Sequence, residues 1–147
     1  MEKEIKKNKN EIHEKLSRRR NMVQIVYRFF LVNENVSKIK QEILDDSQLE
    51  GMKEEGKPIF EDLIDYIPNA AALISNYLVA SGKGNRIPKM IQAIMCVAIY
   101  EIKFLEGEPA IIINSSLELT REYLPSGDVK FVNAVLDKVT KGNMKDE

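Results

Sequence analysis

"MIQAIMCVAIYEI", residues 90 to 102, is the longest apolar stretch of the chain, and its length decides what kind of protein this is. A membrane-spanning helix needs about 20 predominantly apolar residues. This run is shorter and is broken by Gln92 and Glu101. Apolar side chains on nearly every face predict a buried helix instead, opened by Pro88 and ending near Gly107.

The segments on either side carry helical spacing too. In "SRRRNMVQIVYRFF", residues 17 to 30, Met22, Val26, Phe29 and Phe30 recur at i, i+4, i+7 and i+8, with Val23 and Ile25 on the flanks. A second helix is predicted at Val36, Ile39 and Ile43. The linker "DDSQLEGMKEEGKP", with Gly51, Gly56 and Pro58, separates it from a third at Phe60, Leu63 and Ile64. Pro68 in a first-turn position opens a fourth, whose Ala70, Leu73, Ile74, Tyr77 and Leu78 share one face that stops at Gly82. Beyond "GKGN" and the central helix, "PAIII" leads to Asn114 as N-cap of "SSLELTREYL". Asp128 caps a last helix with a stripe of Val129, Val132, Val135, Leu136 and Val139, ending at Gly142. The expected fold is all-α, about seven helices in two packed lobes over residues 18–84 and 85–142, after a basic arm at 1–17.

A chain of 147 residues is long enough to bury an apolar interior without a staple, and 44% hydrophobic with 31% charged residues argues against both disorder and a membrane span. "MEKEIKKNKN" has charges with no apolar run behind them, unlike a signal peptide. A cytoplasmic location is expected, and the single cysteine, Cys96, agrees with a reducing compartment. The net charge of -1 conceals an asymmetry: residues 1–20 hold eight Lys/Arg against four Asp/Glu, leaving 14 against 19 elsewhere. Residues 41–65 carry nine acids and two lysines, so a polyanion is attracted to the N-terminal end and repelled by the middle.

Catalytic constellations are scarce. His13, the only histidine, has no second His or Cys nearby, and Cys96 lies between Met95 and Val97, where a thiol is a small core residue. "SGKGNR" lacks the spacing of a phosphate-binding loop and has no strand before it. The expectation is no enzyme, no metal and no cofactor.

The first strong helix has a second surface. At about 100° per residue, Arg20, Gln24 and Tyr27 fall together opposite the apolar stripe. A guanidinium suits phosphate, an amide a base edge and a phenol ring an unpaired base, a set fitted to single-stranded RNA. The competing reading is that Tyr27 packs on a neighbouring lobe and the arginines are solvated. A helix starting at Ser17 would put three arginines at the positive end of its dipole, an arrangement without structural benefit; one starting earlier, near Asn10, removes that objection. In the last helix Phe131 falls roughly 90° off the stripe, beside polar Asn133. RNA, a protein partner or a lobe junction are each compatible with that position.

Taken together these segments resemble the NusB family of transcription antitermination factors. "RRRNMVQIVY" is similar to the family's arginine-rich opening and "VQALY"-type first helix, and "IMCVAIYEI" to its "ILRIALYEL". "INSSLELTREYLPSGDVKFVNAVLDKV" is similar to "INEAIELAK…KFVNGVLDK", with the same spacing from Ile-Asn to Phe-Val-Asn. The resemblance covers roughly residues 16 to 141. It implies an all-α, non-catalytic protein that binds the boxA element of ribosomal RNA leader transcripts together with NusE, a small-subunit ribosomal protein, in the transcription elongation complex. It places RNA contacts at Arg18, Arg19, Arg20, Gln24, Tyr27, Phe131 and Asn133, a protein-partner role at Glu101 and a structural one at Tyr100. The family's acidic residue after Ile-Asn is Ser115 here, its central basic residue is Cys96, and its Gly after Phe-Val-Asn is Ala134. Those departures, with the acidic middle, keep a second reading open: a helical protein-interaction module with weak or no specific RNA binding. A third is a detached relative of the similar domain that precedes some ribosomal RNA methyltransferases, non-enzymatic on its own.

Overall fold

The computed structural model describes residues 2–32, 37–38, 40–41, 57–81, 87–124 and 129–141. Five helices are bounded among them: α1 Glu2–Val32, α2 Lys57–Ser81, α3 Lys89–Phe104, α4 Pro109–Tyr123 and α5 Val129–Lys141. Residues 37, 38, 40 and 41 are helical as well, and Lys40 reaches Asp65 of α2 at 2.9 Å. The described residues contain no strand, as the expected all-α class requires.

The apolar run that decided the fold is the interior of α3. Ile91 and every residue from Ala93 to Glu101 are buried, and α3 packs against each of the other four helices. That position is why its sequence is apolar on all sides. The one amide in the run, Gln92, is satisfied by donating to the Ile87 carbonyl at 3.0 Å. One continuous core draws on all five helices, from Met22, Val23, Ile25 and Val26 of α1 to Val132, Val135, Leu136 and Val139 of α5. No helix among the described residues is long and apolar enough to cross a membrane.

Several expected boundaries move. The third and fourth predicted helices are one: α2 runs unbroken through Pro68, which sits inside it rather than in a first turn. A mid-helix proline has no N–H and leaves the carbonyl four residues back without its helical donor. Burial of Phe60, Leu63, Ile64 and Ile67 before it, and of Ala70, Ile74 and Leu78 after it, holds both segments on the same core. Asn114 is not an N-cap. The helix begins five residues earlier at Pro109, whose fixed φ suits a first turn, so "AIII" belongs to α4 and Asn114 is exposed within it. Likewise α1 starts at Glu2, far ahead of Ser17, so Arg18, Arg19 and Arg20 stand mid-helix and the dipole objection to them disappears.

The predicted helix at Val36, Ile39 and Ile43, most of the linker after Asp45, the "GKGN" turn, the Asp128 cap and the side chain of His13 lie outside the described residues. The turn from α3 into α4 is described. Glu106 takes φ 52°, left-handed backbone that an L side chain adopts at some cost. A Cβ on the next residue, Gly107, would collide with the buried Ile112 side chain.

Candidate nucleic-acid interface

Three consecutive arginines on a helix diverge by about 100° each, and the structure sends them to three environments. Arg19 points inward. It stands three, four and seven residues before Met22, Val23 and Val26, so it belongs to the apolar stripe. Its guanidinium meets Glu101 of α3, with Nε donating to Oε2 at 2.9 Å and Nη2 at 2.8 Å from the same oxygen. Both side chains are almost wholly buried, at 7% and 3% exposure. The second oxygen, Oε1, is buried with no hydrogen-bond partner among the described residues. Arg19 and Glu101 were expected as an RNA contact and a protein-partner contact, but in this arrangement each is consumed by the other.

Arg18 is half-buried and lies close enough to Tyr100 for its charge to act on that phenol. Tyr100 Oη donates to Asp62 Oδ2 of α2 at 2.9 Å, with the Ile59 carbonyl 3.3 Å away. Burial above all, then the bond to Asp62, pushes the Tyr100 hydroxyl above its ordinary range, against the pull of Arg18. Tyr100 is buried and ties α3 to α2 through Asp62. Beside it, Lys103 Nζ lies 5.4 Å from the centre of the Tyr66 ring and 5.5 Å from that of Phe104, within cation–π range.

Arg20 points outward. It makes a two-pronged pair with Glu122 in the last turn of α4, Nη1 to Oε1 and Nη2 to Oε2, both 2.8 Å. The hydrogen bonds from Arg20 hold the Glu122 carboxyl below the usual carboxylate range, and Glu122 in turn raises the guanidinium. One turn along α1, exposed Gln24 donates from Nε2 to Tyr123 Oη at 3.3 Å. Tyr27, the next member of this face, is half-buried against the core. Of the expected Arg20–Gln24–Tyr27 face, Arg20 and Gln24 are exposed and tied to Glu122 and Tyr123, which sequence reading had not singled out, whereas Tyr27 packs against the core as the competing reading expected.

Phe131 and Asn133 stand on α5, which packs against α3 and α4. Phe131 is half-buried at the edge of the core and Asn133 is exposed. Of the departures from the family pattern, Cys96 is fully buried and desolvation pushes its thiol up to about 12, so it is neither cation nor nucleophile at neutral pH. Ser115 is half-buried and Ala134 exposed. No group of three His, Cys, Asp or Glu among the described residues is placed to hold a metal ion.

The fold and this face define an all-helical protein with an arginine-bearing first helix laid across its core. The chain belongs to the NusB family, whose model matches residues 16–141. It is similar to the transcription antitermination protein NusB of Aliarcobacter butzleri, 30% identical over 126 residues that cover 84% of this chain and 94% of that one. The protein of the same name from Helicobacter pylori is 30% identical over 121 residues, covering 82% and 87%. That of a Nitratiruptor species is 25% identical over 121 residues, covering 82% and 86%. No solved structure matches the chain.

Proposed function

We propose that this chain is a transcription antitermination factor that acts in the cytoplasm by binding a boxA-type single-stranded RNA jointly with the ribosomal protein NusE. The reading rests on family membership and on one observation above others: Arg20 and Gln24 stand exposed one turn apart, with the Tyr27 ring following, on a helix rooted in the core. Phosphate contacts by arginine position RNA, and amide and aromatic groups read and stack unpaired bases. The resemblance further assigns RNA contacts to Arg18, Phe131 and Asn133, while Arg19 and Glu101 act from beneath by fixing α1 on α3.

The burial of Arg19 and the engagement of Arg20 by Glu122 favour one alternative, a protein-interaction module with weak RNA binding. Fluorescence anisotropy of a boxA RNA and a scrambled one, each with and without NusE, separates the two. The proposal predicts tighter binding of boxA, strengthened by NusE. Equal affinity for both RNAs in both conditions would refute it and leave the module.

A further inference from the structure

Resting on the RNA reading above, we infer that Glu122 is an internal competitor for the phosphate site on Arg20 and thereby limits affinity for RNA. The two-pronged geometry is the one a guanidinium offers to phosphate and carboxylate alike, so the same two N–H groups cannot serve both. The pair is open to solvent, with side chains 47% and 50% exposed. Two-pronged geometry puts this pair at the stronger end of exposed ion pairs, but it stays solvent-screened and a phosphate offers the same guanidinium an equivalent pair of oxygens, so phosphate can displace the carboxylate.

Displacement leaves a negative charge beside the incoming phosphate. Glu122 occupies the last turn of α4, where the helix dipole already disfavours an acid while Arg121 of the same turn favours one, and Arg20 is the cation that pairs with the carboxylate. With Glu122 in place, the Arg20 guanidinium meets RNA already paired. Gln24 is held by the neighbouring residue Tyr123, so release of α1's outer face from the end of α4 frees an amide together with a cation.

The test uses the full chain, a fluorescent boxA RNA and a salt series, comparing wild type, Glu122→Gln, Arg20→Ala and the double variant. Neutralising Glu122 is expected to tighten binding about threefold to fivefold at low salt. It should also steepen the dependence of log affinity on log salt by about 0.7, one more effective phosphate neutralised. In the Arg20→Ala background the gain should shrink below about twofold, since the carboxylate then has no guanidinium to occupy. Thermal melting checks that the variants remain folded. Unchanged or weaker binding by Glu122→Gln, with Arg20→Ala still weakening it, would overturn competition and leave the RNA reading standing. Arg20→Ala binding as well as wild type would remove Arg20 from the RNA face and the inference with it.

Discussion

Arg19 and Glu101 carry the sharpest consequence of a single side chain. Removing one partner of a buried ion pair strands the other charge away from water, which destabilises by about 3–5 kcal/mol. Arg19→Ala should lower the urea midpoint accordingly, whereas Arg20→Ala, at a solvent-exposed pair, should change it little. Equal midpoints for the two variants would contradict the burial of Arg19. The pair was half legible beforehand. A glutamate inside a helix apolar on all sides needs a buried cation, and Arg19 keeps the spacing of the stripe at Met22, Val23 and Val26. Reading the three arginines as one basic patch hid the fact that consecutive helical positions face different ways. Arg20 with Glu122 had no such signal, because 102 residues separate them and neither position is unusual for a surface charge.

Among the elements, α3 was legible from its apolar run and the proline that opens it, and α5 from the spacing of its stripe. The boundaries drawn at Pro68 and Asn114 did not hold. Pro68 reads as a helix start by local rules, yet core contacts on both sides carry α2 through it. Restoring the missing N–H with Pro68→Ala should therefore stabilise the chain by about 1–3 kcal/mol. Chemical denaturation measures this directly, and a loss of stability would mean that Pro68 itself is required for α2 to sit on the core. The start of α4 at Pro109 shows the converse. Residues 110–113 look strand-like in isolation, but Ile112 is buried while Ile111 is exposed, and the hydroxyls of Ser116 and Thr120 bond back to carbonyls four residues earlier.

For the whole molecule, periodicity separates the polar helix faces from the core, and the family pattern singles out the face of α1 proposed to carry the function. The central claim is that the outer face of α1, with the end of α4 behind it, is where RNA lands. NMR chemical-shift mapping of the full chain against a boxA RNA tests it most directly. The largest perturbations are expected at Arg20, Gln24 and Tyr27 and at Glu122 and Tyr123 as their contacts open, with smaller ones at Asn133. Perturbations centred instead on the exposed residues of α2, or no saturable change at all, would contradict it.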